Sequence, residues 1–146
     1  IGIGPINNEN ANFYIMSSKP LSTFVESEAN KYVKDQNYGK EEIKKTIKVP
    51  LVTINDTIAK YFSICSDIIS IDTEGYDFEI IKSLDLQKYR PKIICIETLR
   101  YGDNGKVEKQ NETIQYLAAQ DYFLYADTYV NSILVDKNIW ESKRKN

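Results

Sequence analysis

The sequence contains no histidine among its 146 residues. Mechanisms that need an imidazole base, including the serine and cysteine triads, are therefore excluded. A zinc site of the usual type is excluded as well, because the two cysteines do not have ligand-type spacing and no histidine can join them.

Cysteine is scarce too. Cys65 precedes one apolar run and Cys95 lies within another, so the two thiols are widely spaced and one is expected in a core strand. This usage favours reduced thiols and a cytoplasmic protein. Asn-x-Thr sequences begin at Asn55 and Asn111, and we interpret them as chance matches or helix-start residues rather than glycosylation sites.

Long apolar runs and clustered charge are also missing. No run approaches the roughly 18 residues that a membrane helix needs, and no signal-peptide pattern opens the chain. The net charge is -2, and the only cluster of positive charge is the tail at residues 143–145, which we interpret as a solvated terminus. We therefore expect neither a membrane nor a nucleic acid as a partner.

The sequence has the pattern of an α/β protein in a single domain, residues 1–146. Branched apolar runs predict strands, and apolar residues at three-and-four spacing predict helices. The predicted strands cover residues 12–17, 47–54, 67–72, 92–97, 122–129 and 131–136. Helices are predicted to begin near Leu21, Asn55, Asp77 and Asn111. Pro50 confines the second strand to an edge or a bulge.

The connections between these elements predict the topology. Short links in the order strand, helix, strand across residues 67–97 indicate a right-handed βαβ unit with parallel strands. The last two strands are so close in sequence that they can form only a hairpin. The predicted fold is a parallel sheet with a terminal antiparallel hairpin.

Three acids mark the ends of the parallel strands. Asp72 and Glu74 follow the strand at residues 67–72, and Glu97 closes the strand at residues 92–97. Carboxyl ends of neighbouring parallel strands meet at one edge, where such sheets bind ligands. The acids could bind a divalent ion, or one of them could act as a general base. Alternatively, Asp72 caps the following turn, and Glu74 and Glu97 are solvated strand ends.

Neighbouring residues extend the candidate site. Gly75 indicates a backbone position with positive φ or a close approach of another segment. Tyr76 either lines a pocket or packs on the next helix. Arg100 could face the same cleft and bind a carboxylate or phosphate group, or it could be a surface arginine paired with an acid.

Residues 49–56, 67–81 and 91–97 resemble the FkbM-type methyltransferases. The shared pattern is an apolar strand, Asp-x-Glu-Gly, a helix, a proline-led strand and a closing Glu, at Asp72, Glu74, Gly75 and Glu97. The resemblance implies a Rossmann-like class I fold and S-adenosylmethionine as cofactor. It also implies methylation of a hydroxyl group on a sugar or secondary metabolite.

The resemblance further implies that the chain is the C-terminal, substrate-side half of this fold. Residues 1–4 would end the third strand, so the first strands and most of the cofactor site would lie upstream. The strand at residues 67–72 would then expose an unpaired edge, which could also pair with a second copy. A fragment of this kind is expected to be inactive by itself.

The resemblance assigns roles to the residues at this edge. Asp72 and Thr73 would lie beside the cofactor, and Asp72, Glu74 and Glu97 form the catalytic set. Gly75, Tyr76 and Arg100 would contact the acceptor. No metal ligand is assigned, although a divalent metal could bind the acids.

Two other functions compete with a methyltransferase. One is a non-catalytic Rossmann-like module that binds a partner or dimerises. The other is a metal-dependent hydrolase that uses the three acids.

Overall fold

The computed structural model describes residues 1–35, 38–101 and 107–144. Within these ranges it forms a mixed α/β fold of nine strands, five α-helices and a short 3-10 helix at Lys19–Leu21. The strands are β1 (Gly2–Gly4), β2 (Asn8–Met16), β3 (Ile43–Thr53), β4 (Ile68–Ile71), β5 (Ile93–Glu97), β6 (Leu99–Tyr101), β7 (Val107–Lys109), β8 (Tyr122–Asp127) and β9 (Asn131–Asp136). The helices are α1 (Glu26–Lys34), α2 (Ile54–Tyr61), α3 (Asp77–Ser83), α4 (Asn111–Ala119) and α5 (Lys137–Arg144).

The larger sheet has the strand order β4-β5-β9-β8. β4 and β5 are parallel, with Ile71 opposite Ile96, and α3 connects them. β9 pairs antiparallel with both β5 and β8. The prediction of a parallel strand–helix–strand unit followed by an antiparallel hairpin is therefore confirmed.

A smaller sheet, in the order β1-β3-β2, lies N-terminal to this unit in the chain. Its central strand β3 contains Pro50, which cannot donate a ladder hydrogen bond. The pairing of β2 with β3 shifts register between Asn8 and Ala11, opposite this proline, and β1 pairs only from Leu51 onward. Pro50 therefore lies at a bulge, as one of the two predicted alternatives states, but β3 is not an edge strand.

The main core lies between the larger sheet and helices α2, α3 and α4. Isoleucines and leucines from all of these elements fill it, among them Ile58, Ile81, Ile94, Leu117 and Leu134. Full burial of each such side chain contributes roughly 1.5–3 kcal/mol. A second, smaller cluster of Tyr14, Met16, Ala29 and Tyr32 fixes α1 on β2.

The predicted start of the first helix at Leu21 is wrong. Backbone hydrogen bonds join Tyr14 and Thr23 in both directions, at 2.8 and 3.1 Å, and hold the chain extended there. α1 begins only at Glu26. The apolar residues before this point pack on β2 instead: Leu21 packs against the smaller cluster, and the ring centroid of Phe24 lies 4.6 Å from that of Phe13.

Several other elements differ from the predictions. β6, β7 and α5 were not expected, because they are short or polar, and residues 143–144 of the predicted tail belong to α5. β1, in contrast, lies within residues 1–4, where the resemblance implies the end of a strand. Residues 102–105, whose sequence Gly-Asp-Asn-Gly predicts a turn-rich loop, lie outside the described residues. In the ranges described, every helix is too short or too polar to cross a membrane.

β4 forms one edge of the larger sheet, because β5 is its only partner among the described strands. The chain leading into it exposes apolar side chains, with Ile64 79% and Ile68 59% exposed. The predicted unpaired apolar edge is therefore present in this chain.

Candidate functional site

A tight turn connects β4 to α3. Glu74 has φ 53° and Gly75 has φ 123°, so two consecutive residues lie in the region that L side chains rarely adopt. The carboxylate of Asp77 accepts hydrogen bonds from the backbone N–H groups of Thr73 and Gly75, at 3.0 and 3.2 Å. Asp77, rather than Asp72, therefore holds this turn together.

Gly75 meets both of the requirements expected of it. Besides its positive φ, a Cβ atom added there would lie 2.9 Å from Cγ of Glu28 and 3.2 Å from Cγ2 of Val25. Residues 17–42, which we call the β2–β3 connection, thus approach the turn so closely that only glycine fits without displacement.

The three predicted acids converge at this turn. Asp72 and Glu97 follow register partners on parallel strands, and Glu74 reaches the same place from the turn. One carboxylate oxygen of each acid lies within 4.8 Å of the others. Asp72 is exposed, whereas Glu74 and Glu97 are partly buried, so the interpretation of both as solvated strand ends is wrong. Oxygen ligands at this spacing could hold a divalent cation.

Burial and the charges of neighbouring acids raise the pKa of Glu74 and Glu97. Burial, followed by the charges of Glu74, Asp72 and Asp77, raises the pKa of Glu97 to about 7. Burial also raises the pKa of Glu74, although a hydrogen bond from Tyr32 opposes this shift. Glu97 can therefore take up or release a proton near neutral pH.

Two contacts from the β2–β3 connection to Glu74 were not predicted. The hydroxyl of Tyr32 donates to Oε2 of Glu74 at 2.7 Å, and the hydroxyl of Thr23 donates to its carbonyl oxygen at 2.7 Å. Burial and the Glu74 carboxylate raise the pKa of Tyr32 above its ordinary value, so the phenol remains a donor. No spacing in the sequence links residues so far apart.

Two of the three acids, Glu74 and Glu97, line a cleft of about 230 Å³, which we call the acid cleft; Asp72 does not belong to its lining. One wall comes from the β2–β3 connection, and the other comes from β6 and the start of α4. The lining residues near the acids are Glu28, Lys31, Tyr32, Gly75, Phe78, Arg100 and Gln110. Gly75 and Arg100 therefore line the cleft in which they were predicted to act.

Arg100 has a different partner from the acid that was considered. With the Gln110 amide oriented so that its oxygen faces the guanidinium, that oxygen accepts from Nε of Arg100 at 2.9 Å. The side chain of Arg100 is exposed at the mouth of the cleft, so it remains accessible to a ligand.

Tyr76 is placed elsewhere. Its partly buried ring packs against the main core and borders a separate hollow beside Leu51 and Phe24. The structure therefore does not bring Tyr76 into the acid cleft, and the packing alternative describes its position.

Asp72 and Thr73 border a second, more open hollow of about 440 Å³, together with Ile3, Phe24 and Glu74. Oγ1 of Thr73 is buried and has no hydrogen-bond partner in the described part of the chain. An unpaired hydroxyl beside an exposed carboxylate fits a polar group such as an amino acid moiety. Glu74 lines both this hollow and the acid cleft.

Comparison with protein families identifies a match to most of the chain. The family model described as the methyltransferase FkbM domain matches residues 1–124. Neither a curated protein nor a solved structure matches the chain at a significant level. Because the family match spans well over half of its 146 residues, the chain belongs to the FkbM methyltransferase family.

Proposed function

We propose that this chain is the acceptor-side half of an S-adenosylmethionine-dependent O-methyltransferase with a Rossmann-like class I fold. The acceptor would be a hydroxyl group of a sugar or secondary metabolite. The observation that carries this proposal is the arrangement of two hollows around Glu74. The residues assigned to the cofactor, Asp72 and Thr73, border one hollow, while Gly75 and Arg100 line the other.

The residues around the open hollow fit the amino acid part of the cofactor. Asp72 would bind its ammonium group, and the unpaired hydroxyl of Thr73 would donate to its carboxylate. When bound, the cofactor supplies an electrophilic methyl group on a positively charged sulfur.

In the acid cleft, the protein has to orient an acceptor hydroxyl and remove its proton. Glu97 suits proton removal, because its pKa of about 7 lies near the working pH of a general base. Glu74 would accept a hydrogen bond from the acceptor and orient it. As the acceptor oxygen gains the methyl group, its proton passes to the Glu97 carboxylate.

The free edge of β4 supports the proposal that this is a partial domain. Strands upstream of residue 1 would pair with β4 and cover the exposed side chains of Ile64 and Ile68. Those strands would also supply most of the cofactor site. In their absence, the same edge could pair with a second copy of the chain.

Calorimetric titration with S-adenosylmethionine tests this assignment. We expect micromolar binding by the full-length protein and none by residues 1–146 alone. The Glu97→Gln variant of the full-length protein should keep this binding but lose methyl transfer. Micromolar binding by residues 1–146 would contradict an upstream cofactor site, and full activity of Glu97→Gln would contradict the proposed base.

One observation favours a second candidate, a metal-dependent hydrolase. The acid oxygens lie within 4.8 Å of one another, which suits a divalent ion. A magnesium titration followed by calorimetry separates the candidates. Binding of magnesium that is lost in Asp72→Asn would favour the hydrolase, and no binding would favour the transferase.

The remaining candidate is a non-catalytic module that associates through β4. Size-exclusion chromatography at several concentrations addresses it. A dimer that persists in the full-length protein would support this role, whereas a monomeric full-length protein would contradict it.

For all three candidate functions we propose that the protein is cytoplasmic, because Cys65 and Cys95 are both free thiols.

A further inference from the structure

Tyr32 is held rigidly at the cleft wall. Its side chain is only 6% exposed and packs in the small cluster with Tyr14, Met16 and Ala29. The ring of Tyr38 contacts it edge-on, with centroids 4.8 Å apart. The phenol hydroxyl of Tyr32 therefore contacts the site from a ring whose packing restricts its orientation.

The connection that carries Tyr32 is fastened at its base. The Glu41 carboxylate accepts hydrogen bonds from the hydroxyl of Ser17 at 2.6 Å and from the backbone N–H of Ser18 at 3.0 Å. These bonds join the two ends of the β2–β3 connection, directly after β2 and directly before β3. The position of α1 therefore does not depend on Tyr32 alone.

The hydrogen bond from Tyr32 uses only one of the two oxygens of the Glu74 carboxylate. Oε2 accepts from the phenol at 2.7 Å, and the described residues offer no donor to Oε1. The backbone of Glu74 is fixed separately, because Thr23 binds its carbonyl oxygen. One carboxylate oxygen is therefore tethered by Tyr32, and the other accepts no hydrogen bond from the residues that the structure describes.

We infer that Tyr32 is a positioning residue, which holds Glu74 so that its untethered oxygen binds the acceptor hydroxyl. This inference rests on the proposed function for its consequence in catalysis. It assigns a role in acceptor binding to the β2–β3 connection, which carries none of the residues of the Asp-x-Glu-Gly pattern. Removal of the phenol hydroxyl should loosen Glu74 while the ring continues to support α1.

The test compares Tyr32→Phe with Tyr14→Phe in the full-length protein. Tyr14 belongs to the same cluster, and among the described residues its hydroxyl makes one long contact, at 3.4 Å from the Asn12 amide nitrogen. Crystal structures report the position of the Glu74 carboxylate in each variant. Kinetics with methyl α-glucoside as the acceptor probe report KM for the glucoside and for S-adenosylmethionine.

In Tyr32→Phe we expect Glu74 to leave the acid cluster, and KM for the glucoside to rise about tenfold, with KM for the cofactor unchanged. In Tyr14→Phe we expect neither change. The inference is overturned if Glu74 stays in place in Tyr32→Phe, if KM for the glucoside does not rise, or if Tyr14→Phe behaves identically. Should the unmodified protein transfer no methyl group, the proposed function fails separately, and the position of Glu74 alone decides the inference.

Discussion

The hydroxyl of Thr23 donates a 2.7 Å hydrogen bond to the carbonyl oxygen of Glu74, which lies 51 residues further along the chain. The same hydroxyl accepts from the backbone N–H of Val25 at 2.9 Å. A fully buried side chain thus fixes both the extended segment before α1 and the left-handed residue of the Asp-x-Glu-Gly turn. The β2–β3 connection and the Asp-x-Glu-Gly turn are therefore held together as one structural unit.

Replacement of Thr23 by valine should uncouple this unit. The methyl group that replaces the hydroxyl keeps the volume but leaves the Glu74 carbonyl and the Val25 N–H without a partner. We expect a loss of about 1–3 kcal/mol in the free energy of unfolding, measured by urea denaturation of the full-length protein. Thr46→Val, at an exposed position of β3, is the control and should change stability by less than about 0.5 kcal/mol. Equal stability of the two variants would show that the Thr23 bonds contribute nothing.

A comparison of Gly75 with Gly39 separates the energetic cost of backbone strain from the cost of a steric clash. Gly75→Ala would place a Cβ 2.9 Å from Glu28 at a residue with φ 123°, whereas Gly39 has φ 82° and open space around it. Gly39→Ala should therefore cost only the strain of a positive φ, about 1 kcal/mol. Gly75→Ala should cost more, about 2–4 kcal/mol, because the β2–β3 connection must also move. Thermal unfolding of both variants gives the comparison, and similar losses would argue against a close approach at Gly75.

The sequence predicts the acid cluster because its geometry follows from local pattern and topology. Apolar runs define β4 and β5, their short connection makes them parallel, and parallel strands bring Asp72 and Glu97 to one edge. The contacts of Thr23 and Tyr32 with Glu74 depend instead on how the β2–β3 connection folds back. No hydrophobic periodicity in the sequence indicates how this connection packs against the turn, so these contacts could not be predicted. Likewise, nothing near Arg100 in the sequence indicates Gln110 as its partner.

The activity should depend on the protonation of Glu97. As a general base this side chain must be ionised, so the rate of methyl transfer should rise as the pH increases through about 7 and then level off. Glu97→Gln should lower kcat by about 10²–10⁴-fold and remove this ionisation from the pH profile. The exposed Glu9→Gln on β2 serves as the control. A profile that is unchanged in Glu97→Gln would assign the base to another residue.

Glu97 should also make the stability of the protein depend on pH. Its pKa is raised from 4.5 in the unfolded chain to about 7 in the folded protein. Between these values the folded state binds more protons than the unfolded state, so stability should fall as the pH rises. Because Glu97 is only partly buried, we expect a loss of about 1–2 kcal/mol across this interval. Urea unfolding at pH 5 and pH 8 measures it, and Glu97→Gln should reduce the difference; a stability that increases over this range would contradict the shift.

At the exposed edge of β4, one substitution should be favourable in the isolated chain and unfavourable in the full-length protein. Ile68 is 59% exposed at the start of β4. In residues 1–146 alone, Ile68→Lys should improve solubility, because a lysine on an exposed strand discourages edge pairing. In the full-length protein, where upstream strands would cover this side chain, the same substitution should destabilise by about 2–4 kcal/mol, since it buries an unpaired charge. Light scattering of the short chain and thermal unfolding of the full-length protein provide the two measurements. Thr46→Lys, at an exposed position of β3, controls for the change in net charge, and a full-length protein that tolerates Ile68→Lys would show that nothing upstream packs on β4.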